Sequence, residues 1–231
     1  MSLYDKKYIV IKNIISKDVA KLYYDYLTTK SKVCSTMMEN RFVNPFCKDY
    51  GWFNDNQSMG AYCIYGDPLY DNMLIQLKDK IEKEIDLELT PMYTYARIYK
   101  RGMELKRHKD RGSCAISGTI NLGGDPWPIY IDTNPENGSV NDKGKYAPGG
   151  EKGEEVLLEP GDCMVYSGCE CEHWRDPMIY GDICGQVFIH YMDSKDVKEG
   201  DNYDTRLGLG MPVYTKGEQN CSNTGMYKKD K

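Results

Sequence analysis

The sequence predicts a mainly β protein, an antiparallel sandwich or barrel buttressed by α-helices, and three observations predict it. Apolar residues recur at helical spacing in two stretches, both before residue 91. From there the chain breaks into short segments rich in β-branched and aromatic residues: MYTYARIYK, CAISGTINL, PIYID, EEVLLEP, CMVYSG and ICGQVFIHYM. Turn residues separate them, at Arg101-Gly102, Gly123-Gly124-Asp125-Pro126, Pro160-Gly161-Asp162 and Gly181-Asp182. Helices first and many short strands afterwards are the order of a β core with helices packed on it.

The elements follow in sequence. Tyr8 to Ile11 reads as a strand. Ser16 stands where an N-cap belongs, Asp18 falls in the first helical turn, and Val19, Leu22, Tyr23, Tyr26 and Leu27 carry the helical period. Residues 39–67 are rich in Asn, Gly and aromatics and read as loop with a short strand. A second helix runs from Pro68 to Leu87, with Leu69, Met73, Leu74, Leu77, Ile81 and Ile85 on its buried face and Thr90-Pro91 ending it. Residues 133–153 are polar, have no apolar period and read as a long surface loop of the kind that forms lids. One domain is expected over 1–194, followed by a polar extension over 195–231.

Composition narrows the class. The 231 residues are 40% hydrophobic and 28% charged, as in an ordinary soluble protein. No apolar run is long enough for a membrane span and the start shows no secretory pattern, so a cytoplasmic protein without a membrane partner is expected. A net charge of −5 argues against general binding of nucleic-acid backbones and leaves room only for a local basic patch. Nine cysteines, an odd number, are expected as reduced thiols. Twenty tyrosines against four phenylalanines suggest a core that offers hydroxyls to a polar cavity.

The chemistry concentrates in LKRHKD. His108 and Asp110 are two apart, which on a strand puts both on one face. His173 follows the strand–turn–strand signal EEVLLEPGDCMVYSG, and in an antiparallel barrel it can face the pair. Two imidazoles and one carboxylate on one side of an ion form the facial triad of non-haem Fe(II) oxygenases, leaving the opposite positions open. The plainer reading of His108 is a solvated ring in the basic run of Lys106, Arg107, Lys109 and Arg111.

ARIYKRGMELKRHKD, ISGTINL, LLEPGDCMVYSG followed by His173, and GQVFIHYMD together resemble the 2-oxoglutarate/Fe(II)-dependent dioxygenases, nearest in style to the prolyl-4-hydroxylase-like branch. IVIKNIISKDVAKLYYDYL resembles that branch's opening strand and helix. The resemblance implies a double-stranded β-helix, or jelly-roll, core. It implies Fe(II) held by His108, Asp110 and His173, with 2-oxoglutarate chelating the ion and O2 as oxidant. The products would be succinate, CO2 and a hydroxylated C–H bond, and ascorbate would serve as a supporting reductant. The substrate would be a peptide, a protein or a small molecule, with a prolyl or other peptide side chain the first choice.

One feature of the family is missing. A basic residue ordinarily follows the distal histidine by one strand and grips the far carboxylate of 2-oxoglutarate, but Asp182-Ile183-Cys184-Gly185-Gln186-Val187 contains none. Arg175, two after His173, is the first replacement; a structural ion pair with Asp176 or Glu172 is its alternative role. Arg97 is the second, on one strand face with Tyr95 and Tyr99. Tyr99 is expected near the co-substrate, and Gln186 could add a hydrogen bond. His190 shares a face with Cys184, Gln186 and Phe188 and reads as a packed, hydrogen-bonded histidine. A competing reading is a non-catalytic jelly-roll binding module with a structural zinc site at Cys169, Cys171 and His173, although a one-residue gap is short for zinc cysteines.

Overall fold

The computed structural model describes residues 3–44, 46–53, 55–140 and 145–211. The N-terminal part holds helix α1 (Leu3–Lys6), strand β1 (Tyr8–Ile11), helix α2 (Lys17–Glu39), strand β2 (Tyr62–Tyr65) and helix α3 (Pro68–Ile85). Ten strands follow: β3 (Leu89–Lys100), β4 (Leu105–His108), β5 (Ile116–Gly124), β6 (Ile129–Asp132), β7 (Ser139–Val140), β8 (Tyr146–Ala147), β9 (Glu154–Val156), β10 (Cys163–Ser167), β11 (Glu172–Arg175) and β12 (Ile183–Asp193). A six-stranded sheet runs β1-β10-β5-β12-β3-β2 and a four-stranded sheet β4-β11-β6-β9, while β7 and β8 form a small hairpin. The strand pairs are antiparallel. The protein is therefore mainly β, with the jelly-roll core that the family resemblance implies.

Alternation along the strands builds two layers of core. One face of the large sheet, with Ala96, Ile98, Ile120, Val187 and Ile189, packs against Leu27 of α2 and Leu74, Leu77 and Ile81 of α3. The opposite face meets the small sheet. Tyr99, Cys184 and Phe188 pack with Leu105 and Trp127 at one end, and Met164 and Tyr166 pack with Ile129 and Ile131 at the other. The candidate site lies between the sheets.

The helix signals hold in part. The Ser16 hydroxyl caps α2 by accepting from the Val19 N–H at 3.3 Å. Of the expected stripe on α2, Leu27 is buried and Tyr23 and Tyr26 pack against the core, whereas Val19 and Leu22 are exposed and Ala20 and Cys34 are buried in addition. α3 stops at Ile85 because Asp86 adopts a left-handed conformation (φ 56°) and ends the hydrogen-bond ladder. Thr90-Pro91 does not end the helix but opens β3, where Pro91 pairs only with β12 beside a bulge, so the missing N–H costs no second ladder.

Residues 133–153 carry the β7–β8 hairpin, and Glu172 anchors it, accepting from the Tyr146 hydroxyl (2.6 Å) and the Gly149 N–H (3.0 Å); residues 141–144 lie outside the described ones. Of the C-terminal extension, residues 195–211 are described and 212–231 are not. Arg206 forms a buried ion pair with Asp71 of α3 (2.8 Å), and Asp204 pairs with Arg111, so this part of the extension packs on β3 and α3. No helix among the described residues is long and apolar enough to cross a membrane. Seven described cysteines are free; Cys47 is disulfide-bonded, which departs from the all-reduced expectation.

Candidate metal and co-substrate site

The candidate ligand set is assembled by strand register. β11 pairs with β4 so that His173 lies directly opposite His108, and the two rings come to 4.3 Å between centroids. Each ring sets its Nδ1 on a backbone carbonyl, His108 on Lys106 O at 2.6 Å and His173 on Cys171 O at 3.1 Å. A carbonyl can only accept, so the proton sits on Nδ1 and the Nε2 lone pair is left for an ion. Both Nε2 atoms stand 3.6 Å from Asp110 Oδ1, and the three ligand atoms all lie within 4.8 Å of one another.

Asp110 differs from its sequence-based picture. It lies beyond the end of β4, so strand alternation does not aim it. Its N–H instead donates to Gly168 O at 2.9 Å. A Cβ at 168 would fall 2.6 Å from Asp110 Oδ2 and 2.3 Å from Cys114 O, so glycine is required for this close approach. Sequence reading missed Gly168, and only its place after the CMVYS strand marked it as a turn residue.

The electrostatics suit a cation. Burial, reinforced by His173, pushes His108 down to about 3 and leaves it neutral near pH 7. Burial works to raise Asp110, but the two imidazoles opposite outweigh it and hold the carboxyl well below the usual range. Two imidazoles and one carboxylate form a set that matches Fe(II) in number, type and arrangement. Burial likewise lowers His190, to about 4. A histidine held neutral in the fold stabilises it fully above the unfolded value of about 6.5 and loses that contribution as pH falls towards the native value. For the ion-free protein we expect a fall in stability between pH 6.5 and 4, approaching about 3 kcal/mol from His190 alone. Thermal melts at the two pH values check this, and His190→Gln should flatten the difference; equal melting at both pH values contradicts it.

A cavity of about 380 Å³ opens on the triad, with Tyr93, Tyr95, Arg97, Tyr166, Phe188 and His190 in its wall. Tyr166 packs on the His173 ring at 4.6 Å. Of the four expected co-substrate residues, only Arg97 lines this cavity, and it is already neutralised. Its Nη2 is 2.8 Å from Asp55 Oδ1 and 2.9 Å from Gln57 Oε1. Tyr99 is fully buried, edge-on to Trp127, with its hydroxyl 3.5 Å from Arg97 Nη1. Gln186 is held by neighbours, accepting from Thr119 Oγ1 and donating to Asn121 Oδ1, both at 3.3 Å.

Arg175 is different. It is 2% exposed, donates from Nη1 to Trp127 O, and stacks over the Trp127 ring at 5.1 Å. Its Nε and Nη2 are buried without a partner, and no carboxylate pairs with it among the described residues. The alternative ion pair with Asp176 or Glu172 is thus not formed; Glu172 is taken by Arg107 (2.6 Å). Burial lowers the pKa of the Arg175 guanidinium, which marks a cation lacking its counter-charge. An anionic group seated there would satisfy the orphaned donors.

The basic run is not the solvated strand face that the sequence suggests. Arg107 bridges Asp132 and Glu172 under the Trp174 ring (4.0 Å), and Arg111 pairs with Asp204. The zinc grouping does not form among the described residues. Cys169 Sγ turns to Arg111 O and Cys171 Sγ to Lys7 O, while His173 Nε2 faces Asp110.

No family model matches the sequence, and no curated protein matches it. Solved structures do match in fold. HygX from Streptomyces hygroscopicus, with nickel and 2-oxoglutarate bound, aligns over 83% of this chain and 85% of its own at a TM-score of 0.54 and 12% identity. The viral collagen prolyl hydroxylase of Paramecium Bursaria Chlorella virus-1, a 2-oxoglutarate complex, aligns over 80% and 95% at 0.51 and 9% identity. A prolyl hydroxylase of Trichoplax adhaerens, in complex with a hypoxia inducible factor peptide fragment, aligns over 84% and 86% at 0.50 and 12% identity. The chain has the fold of the 2-oxoglutarate/Fe(II) oxygenases. Prolyl hydroxylases stand among the proteins that share this fold, beside others such as HygX, and at these identities the likeness is one of architecture. Within the oxygenase fold, the histidines lie on the paired strands β4 and β11, Asp110 just beyond β4, and Arg175 two residues past His173.

Proposed function

We propose that the protein is an Fe(II)- and 2-oxoglutarate-dependent dioxygenase that hydroxylates a C–H bond. The observation that carries this reading is the convergence of His108 Nε2, His173 Nε2 and Asp110 within 4.8 Å, at the wall of a cavity between two sheets. The orphaned guanidinium of Arg175 supports it, since a dicarboxylate co-substrate chelated at the ion needs a cation for its far end.

In this reading His108, Asp110 and His173 hold Fe(II). When bound, Fe(II) with 2-oxoglutarate and O2 supplies oxidative decarboxylation to succinate and CO2, coupled to insertion of one oxygen atom into a C–H bond. The carbonyls of Lys106 and Cys171 each take the Nδ1 side of one ring, so that Nε2 is the atom turned to the ion. Arg175 orients the far carboxylate. Tyr166, against His173, and Phe188, in the cavity wall, keep water from the space beside the ion. Tyr93, Tyr95 and Arg97 face the substrate side of the cavity. That substrate is a peptide, protein or small molecule, with a prolyl or other peptide side chain the first class to test.

The test is succinate release. Protein supplied anaerobically with Fe(II), then given 2-oxoglutarate, ascorbate and oxygen, should form succinate, and peptide and metabolite pools should yield a product one oxygen atom heavier. No iron binding and no succinate would defeat the proposal.

A further inference from the structure

Asp110 is held at both oxygens. Oδ1 faces the two imidazoles, while Oδ2 accepts from the Ser117 hydroxyl at 2.6 Å. Ser117 has one proton to give. With that proton on Asp110, the contact of Ser117 Oγ with His190 Nδ1 at 3.0 Å must run from the ring N–H to the hydroxyl oxygen. Ser117 is fully buried on β5 and His190 is 6% exposed on β12, at directly paired positions, so the sheet itself fixes the spacing. Tyr93, ring to ring with His190 at 4.4 Å, packs on the imidazole, and its hydroxyl lies 2.9 Å from Cys114 Sγ.

A second grouping shares the aspartate. Asp110, Cys114 and His190 also bring ligand atoms within 4.8 Å of one another. Ser117 Oγ touches all three of these residues, since it also lies 3.0 Å from Cys114 O.

We propose that Ser117 and His190 are positioning residues that decide how Asp110 binds the ion. By tying up Oδ2 they restrict Asp110 to one coordinating oxygen, Oδ1. They also keep the aspartate out of the competing Asp110–Cys114–His190 grouping. A carboxylate with both oxygens free could close on the ion as a two-point ligand and fill a position that an open facial site needs. A free Oδ2 could equally draw a thiophilic cation towards Cys114. This inference rests on the metal site proposed above and adds its coordination mode.

Cobalt(II) is a suitable probe, because its visible spectrum reports ligand number and type without turnover. Wild-type protein should bind Co(II) with a spectrum of nitrogen and oxygen ligands. Ser117→Ala should bind it roughly 10- to 100-fold more weakly, the usual cost of losing an outer-shell partner, and with an altered ligand-field spectrum. A melting curve on the ion-free variant separates this from unfolding. His190→Phe, which leaves Ser117 in place but removes the donor behind it, should change the spectrum in the same direction by less. Unchanged affinity and spectrum in Ser117→Ala would overturn the inference while leaving the metal site standing. Loss of Co(II) binding in Cys114→Ser would overturn it too, by locating the ion in the other grouping. A wild type that takes no cobalt or iron would remove both proposals together.

Discussion

Asp110→Ala is expected to abolish Fe(II) binding, and His108→Ala to do the same. Each removes one of the three side chains proposed to hold the ion, and the loss should exceed the roughly 10- to 100-fold penalty of an outer-shell change. The ion-free fold should survive, because these side chains stand at the cavity wall, outside the apolar clusters that join the sheets. Asp110→Ala also relieves a part-buried carboxylate of its need for partners, so its ion-free form should be less stable than wild type by no more than about 1–3 kcal/mol. Anaerobic iron titration with a melting curve on the same samples reads both quantities. A variant that binds iron as wild type does would show that the three side chains meet for another reason.

Arg175→Ala is expected to raise the 2-oxoglutarate requirement by about 10- to 100-fold. Hydrogen bonds to a charged group contribute roughly 1.5–3 kcal/mol, which corresponds to that range. Iron affinity should not change, since Arg175 touches no ligand atom in the contacts it makes. Arg175→Lys should recover part of the loss, keeping the charge without the planar fork. The effect should appear in the apparent KM for 2-oxoglutarate and not in the iron dissociation constant. An unchanged KM would take Arg175 out of the site and turn attention to Arg97, which would then have to release Asp55 first.

The architecture was legible because it rests on local patterns. Two-residue alternation in MYTYARIYK and ICGQVFIHYM is a property of extended backbone, and β3 and β12 form along those segments. Ser16 signals the start of α2 from the chemistry of its hydroxyl alone. The end of α3 was misjudged because a left-handed aspartate leaves no mark as strong as a proline. The stripe of α2 was legible at Tyr23, Tyr26 and Leu27 but not at Val19 and Leu22, because its neighbours are strands far along the chain and the period does not show where their cover ends.

What the sequence by itself determined is the β architecture and the supply of two histidines and one aspartate at spacings that an antiparallel sheet can bring together. What only the tertiary structure decided is how those groups are presented. Asp110 is aimed by Gly168 and Ser117, not by its own strand. Arg97, though inward-facing as expected, is spent on Asp55, while Arg175 is left without a counter-charge. The physical reason is that side-chain direction follows from the local backbone period, whereas the availability of a charge or a lone pair depends on which distant groups the fold sets against it.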